Sequence, residues 1–245
     1  ENLIFEYVIL LNATGKWQEA LERLEAVYGR QKKRLAEKTV EVYTYAEKYE
    51  IAIRYVKTRY RLVGISERKL QEALADIYWY KGDLKKAAIH IRRALHLCER
   101  TDEDYPGLCE TAADILFYLG KKKTAAEYAA EYIAYYEKAG GIQKHLNKLN
   151  AKPMRLYTFG KMQLIQGNVT AAESVVKEMG QIQRCAHCRF RYCTEGLELQ
   201  AAIHMACGKM QEAIEVLEKI RKETPEDRDV RMKLRLAYAL QKNGK

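Results

Sequence analysis

Proline is nearly absent, at 3 residues in 245, and glycine is held to 14. Proline removes a helical hydrogen bond and glycine weakens a helix, so their scarcity inside the apolar stretches argues against a turn-rich β architecture. An all-α chain is the expectation. No run approaches the roughly 20 apolar residues that span a bilayer, and the N-terminus has neither the basic start nor the cleavage region of a secretory signal. A cytoplasmic chain without membrane insertion is therefore expected. The 6 cysteines, at positions 98, 109, 185, 188, 193 and 207, are too sparse and uneven for a disulfide framework, which favours reduced thiols. A P-loop, a dinucleotide glycine signature, a nucleophile elbow and a His-Glu-x-x-His helix are all missing, so neither enzymatic activity nor a cofactor is expected. The chain also lacks an initiator methionine, opening at Glu1 as a trimmed or processed product would.

What the chain does have is apolar material, at 48%, and charge, at 31%, enough for a continuous core and a solvated surface. The apolar residues recur in phase. Gly15 precedes Trp17, Ala20, Leu24 and Val27; Gly82 precedes Leu84, Ala87, Ile91 and Ala94; Gly120 precedes Ala125, Ala129 and Tyr132. Gly167 with Ala172 and Val176, and Gly208 with Ala213, Leu217 and Ile220, continue the series. Glycine adopts the left-handed conformation that closes a helix, and the alanine five residues later lets a second helix pack closely. Seven positions before each glycine stands Val8, Ala75, Ala113, Gly160 or Ala201, most of them small enough for tight hairpin packing. A further unit turns at Glu47 without glycine but keeps Val40 and Tyr43 before the turn and Tyr49, Ala52 and Val56 after it. The turn positions 15, 47, 82, 120, 167, 208 and 244 are separated by 32, 35, 38, 47, 41 and 36 residues. All three prolines, Pro106, Pro153 and Pro225, fall between units, and the long fourth interval holds Gly140, Gly141 and a polar stretch through Asn150 that predicts a longer loop.

That spacing centres near the tetratricopeptide period of about 34 residues. The segment Ala-Asp-Ile-Tyr-Trp-Tyr-Lys-Gly-Asp-Leu-Lys-Lys-Ala-Ala at 75–88, and the stretch from Ala201 to Pro225, resemble tetratricopeptide-repeat hairpins. The resemblance implies a right-handed α-solenoid of about six units at 1–32, 33–66, 67–104, 105–150, 151–187 and 188–225, with a C-terminal helix over 226–245, in a single repeat domain. It also implies a function, the binding of a protein or peptide by first helices that line a concave groove.

Aligned on their turns, three successive first helices place Glu37 and Glu41, Glu72 and Asp76, and Glu110 and Asp114 at the same two positions. Residues four apart share a helical face, so the pairs predict an acidic ladder. Trp79 and Phe117 follow three residues after Asp76 and Asp114, where an aromatic ring can add a cation–π contact of roughly 0.5–2 kcal/mol to an ion pair. The expected ligand is a basic peptide or basic protein segment. The alternative is a regulatory receptor for a signalling peptide that controls an effector domain outside these residues.

The net charge of +10 comes from basic residues elsewhere, including Lys85, Lys86, Arg92, Arg93, Lys121, Lys122 and Lys123, which map mostly to the second helices. No nucleic-acid reader motif accompanies them, so nucleic acid is not the expected partner. Cys185, Cys188 and Cys193 are candidate zinc ligands, with His204 and Cys207 downstream, but a second matched knuckle is lacking and metal is not the leading expectation. Nothing in the sequence sets an oligomeric state.

Overall fold

The computed structural model describes residues 2–138, 152–181, 194–225 and 227–244. The described residues form helices joined by turns. The helices are α1 (Asn2–Ala13), α2 (Trp17–Tyr28), α3 (Lys32–Tyr45), α4 (Tyr49–Arg59), α5 (Glu67–Lys81), α6 (Leu84–His96), α7 (Tyr105–Tyr118), α8 (Lys122–Lys138), α9 (Lys152–Ile165), α10 (Val169–Gln181), α11 (Thr194–Ala206), α12 (Met210–Glu223) and α13 (Arg228–Lys242). They pair in sequence as six hairpins, and α13 follows the last. The chain divides into two compact units, Glu1–Arg100 with the first three hairpins and Thr101–Lys245 with the remaining three and α13.

Each hairpin closes in the same way. Residues 15, 82, 120, 167, 208 and 244 are glycines with φ between 65° and 89°, and Glu47 takes φ 56° in the glycine's place. At Gly120 the amide donates to the Phe117 carbonyl at 3.0 Å while Lys121 donates to Leu116 at 2.8 Å, and Glu47 with Lys48 repeats the pair on Thr44 and Tyr43 at 3.1 and 2.8 Å. These are the bonds that satisfy the orphan carbonyls at a helix C-terminus. Five residues on, Ala20, Ala52, Ala87, Ala125, Ala172 and Ala213 are all completely buried. The small residues seven before the glycines are buried as well. Gly160 is the tightest of them, for a Cβ there would stand 2.5 Å from Leu199 Cδ2 and 2.9 Å from Val175 Cγ1. The three prolines sit where a missing N–H is harmless: Pro106 and Pro153 in the first turns of α7 and α9, Pro225 between α12 and α13.

In the first unit, α1 packs on α3 and α3 on α5, so the leading helices of successive hairpins lie side by side. Val8, Leu11, Ala20, Leu24, Tyr28, Leu35 and Val42 form a core there. In the second unit, α7 contacts α9 and α9 contacts α11, while α13 packs on α12. Leu156, Leu164, Ala172, Val175, Met179 and Leu199 belong to one core of that unit, and Ala213, Leu217, Ile220, Val230 and Leu234 to the next. Tyr78 and Tyr132 are packing residues, 7% and 5% exposed. Among the described residues no helix is long and apolar enough to cross a membrane. The Gly140 to Asn150 stretch lies outside the described residues.

Candidate functional site

The acidic pairs fall in both units and meet different surroundings in each. In the first unit, α3 carries Glu37, exposed, and Glu41, half-buried; α5 carries Glu72, half-buried, and Asp76, exposed. Lys38 lies 2.9 Å from Glu41, and Lys69 and Arg68 lie 3.1 and 3.8 Å from Glu72, all within one turn of their own helix. Such pairs on partly solvated helix faces contribute roughly 0–1 kcal/mol each. Tyr60, just past α4, has its hydroxyl held well above its ordinary value, first by burial and then by the charges of Glu37, Glu41 and Asp76. Trp79 is only 7% exposed, so it is a packing residue and not an open platform.

In the second unit the same two helical positions are already answered from within the chain. Lys161 on α9 places its Nζ 2.5 Å from Asp114 Oδ2 and 3.2 Å from Glu110 Oε1, and Thr158 donates to that same Glu110 oxygen at 3.1 Å. The lysine side chain is 9% exposed and the Asp114 side chain 15%. Burial works to lower the Lys161 pKa, but Asp114, Tyr157 and Glu110 outweigh it and hold the ammonium well above its usual range. Asp114 is raised by burial, against the pull of Lys161, and its Oδ1 is buried with no hydrogen-bond partner. Phe117, half-buried, packs edge-on against Tyr118 at 5.4 Å between centroids.

A second buried pair adjoins the first. Lys233 on α13 lies 2.5 Å from Glu198 on α11, with side chains 6% and 10% exposed, and donates to the Tyr157 hydroxyl at 3.0 Å. The Tyr157 ring faces both ammoniums, Lys161 at 4.9 Å and Lys233 at 5.6 Å. Burial raises the Glu198 carboxyl and pushes the nearby Tyr118 phenol up to about 12. Glu110, Asp114, Tyr157, Lys161, Glu198 and Lys233 thus form a connected polar line across four leading helices of this unit. Sequence reasoning missed Tyr157, Lys161, Glu198 and Lys233. A signal was there, because Tyr157 and Lys161 stand ten and six residues before Gly167, as Glu110 and Asp114 stand before Gly120.

On the second helices, Lys85, Arg92, Arg93 and Lys121 to Lys123 are exposed as their pattern implies. Arg92, Arg93, His96 and Leu97 line an open cleft of about 480 Å³ with Glu67 and Gln71. The Cys185, Cys188 and Cys193 candidates lie outside the described residues; His204 is half-buried and Cys207 exposed.

Residues 197–229, from α11 into α13, match the tetratricopeptide repeat family. No curated protein matches the chain in sequence. Among solved structures it is similar to a tetratricopeptide repeat protein from Parabacteroides merdae, at 12% identity over 97% of this chain and 98% of that one, with a TM-score of 0.46. BtubC from P. vanneervenii is similar at 17% identity over 89% and 90%, TM-score 0.46, and pilF of Pseudomonas aeruginosa at 12% over 100% and 99%, TM-score 0.45.

Proposed function

We propose that this chain, whose residues 197–229 match the tetratricopeptide repeat family and whose described helices pair into hairpins, is a protein-interaction scaffold that takes a basic peptide or basic protein segment on the leading-helix face of its first unit. The observation that carries this reading is that α3 and α5 contact each other and present Glu37, Glu41, Glu72 and Asp76 at exposed or half-buried positions. Carboxylates on such a partly solvated face can accept charge-assisted hydrogen bonds from a partner's cation. Glu72 lies on α5 one turn before Asp76. In the second unit Lys161 already occupies the corresponding carboxylates, Glu110 and Asp114, so a partner's cation would have to displace a nearly buried lysine there.

The test uses an array of defined peptides graded from lysine- and arginine-rich to aspartate- and glutamate-rich, probed with the chain and with a Glu37→Lys, Glu72→Lys, Asp76→Lys variant. Basic peptides should be retained by the unaltered chain and lost by the variant. Retention of acidic or neutral peptides in preference to basic ones would overturn the proposal.

A further inference from the structure

We infer that the first unit carries a docking site for a phosphorylated peptide segment in the cleft of about 480 Å³ between the start of α5 and the end of α6, where Arg92 and Arg93 take the phosphate and Leu97 an apolar neighbour. The site goes beyond the basic-segment reading and shares no residue with it.

The walls of the cleft are tied together from within. His90 on α6 donates through Nδ1 to Gln71 Oε1 at 2.7 Å, and Gln71, 7% exposed, donates through Nε2 to Glu67 Oε1 at 2.8 Å. Arg61 closes the chain on Glu67 Oε2 at 2.8 Å, and the His90 ring stacks on Tyr78 at 5.4 Å between centroids, 2° from parallel. These contacts fix α5 against α6, which lowers the ordering cost of binding between them. They also determine what is left for a ligand. The Glu67 carboxylate and both ends of the Gln71 amide are answered inside the unit, whereas Arg92 and Arg93 are exposed and make no hydrogen bond or ion pair among the described residues. Arg92 and Arg93 stand four and three residues before His96, so the three share a side of α6. The local field is positive, for after burial it is Arg93 and Lys57 that hold the His90 imidazole below its ordinary range. Leu97, just past α6 and 50% exposed, adds the apolar wall.

Two guanidiniums decide the anion. A carboxylate carries one charge and is matched by one guanidinium fork, while a phosphate monoester carries about −1.5 to −2 with three acceptor oxygens, which suits two arginines. A peptide also brings the apolar neighbour that Leu97 can cover, which inorganic phosphate lacks. Single-stranded nucleic acid fits less well. It is held by a basic track with aromatic platforms for its bases, and this cleft is lined by no Phe, Tyr or Trp. Further back along α6, Lys86 is already paired with Asp83 at 3.0 Å.

The experiment titrates the whole 245-residue chain into a capped, fluorescein-labelled alanine heptapeptide with phosphoserine at its centre and leucine beside it, read by fluorescence anisotropy. The phosphopeptide should bind about tenfold more tightly than its serine and glutamate counterparts. Arg92→Gln combined with Arg93→Gln, both at exposed positions, should remove that preference with the helical circular-dichroism signal unchanged. Leu97→Ser should weaken the phosphopeptide by about threefold, and Lys85→Gln, exposed on the same helix but outside the cleft, should leave it unaltered. Should the double variant lose helical signal, Arg92→Gln alone and Leu97→Ser decide the matter. Unchanged affinity in the double variant, or an equal loss in Lys85→Gln, would overturn the site. So would a serine or glutamate peptide that binds as tightly, inorganic phosphate that competes as well as the phosphopeptide, or a single-stranded RNA hexamer that binds more tightly and is lost in the same double variant. The basic-segment reading stands or falls separately, on Glu37, Glu72 and Asp76.

Discussion

Replacing Lys161 with methionine keeps the bulk of the side chain and removes its charge, which leaves Asp114 and Glu110 without the ammonium that neutralises them. Breaking a buried ion pair by deleting one partner typically costs about 3–5 kcal/mol. Here Glu110 is 29% exposed and recovers part of its hydration, so the lower end applies, and we expect a loss of about 3 kcal/mol at pH 7. For a unit of this size that corresponds to a Tm lower by about 6–12 °C. The loss should depend on pH. Burial already holds the folded-state pKa of Asp114 above its ordinary value, and removing Lys161 takes away the largest opposing charge. An acid with a raised folded-state pKa binds its proton more readily folded than unfolded, so the penalty is complete above that raised value. It shrinks as pH falls through it, and it stops changing below the unfolded value of about 3.9. Urea unfolding followed by far-ultraviolet circular dichroism at pH 7 and pH 5 should therefore show the gap between Lys161→Met and the unaltered chain narrowing. Both tryptophans, Trp17 and Trp79, lie in the first unit, so their fluorescence reports that unit separately. Combining Lys161→Met with Asp114→Leu should recover most of the loss and abolish its pH dependence, since replacing both partners by apolar groups is often neutral or stabilising. A deficit equal at both pH values, or a double variant no better than the single one, would refute the reasoning.

Three further outcomes follow from the backbone. Glu47→Gly should stabilise the first unit by about 0.5–1 kcal/mol in urea unfolding, because a left-handed non-glycine residue costs about 1–2 kcal/mol and glycine's extra unfolded-state freedom takes back only part of that; a loss of stability would contradict the strain. Gly160→Ala should destabilise the second unit by about 1–2 kcal/mol despite alanine's better helix propensity, since its Cβ would meet Leu199, which is completely buried, and Val175, 6% exposed; an unchanged unfolding midpoint would show that α9, α10 and α11 can spread. Ser66 caps α5 by accepting from the Lys69 amide at 3.3 Å, so Ser66→Ala should cost about 1 kcal/mol and Ser66→Asp should not, as thermal melts would show.

The hairpins were legible because their signals are local. A left-handed turn admits glycine at little cost, and a close helix crossing admits alanine, so residues 15, 82, 120, 167 and 208 announce themselves, and Glu47 could be placed in phase by its neighbours. The acidic pairs were legible as positions on helices for the same reason. What they face was not. A lysine within a helix reads as a solvated residue, and nothing near Lys161 in the chain shows that it turns inward to Asp114, 47 residues away, or that Lys233 reaches Glu198 across 35.

The sequence by itself thus determined the class, the hairpin period and which residues are small, because φ preferences and side-chain volume act within a few residues. Tertiary structure alone decided that Lys161 neutralises one acidic pair and that Lys233 meets Glu198. Which charges pair across helices depends on which helices pack together, and that is a property of contacts between distant segments.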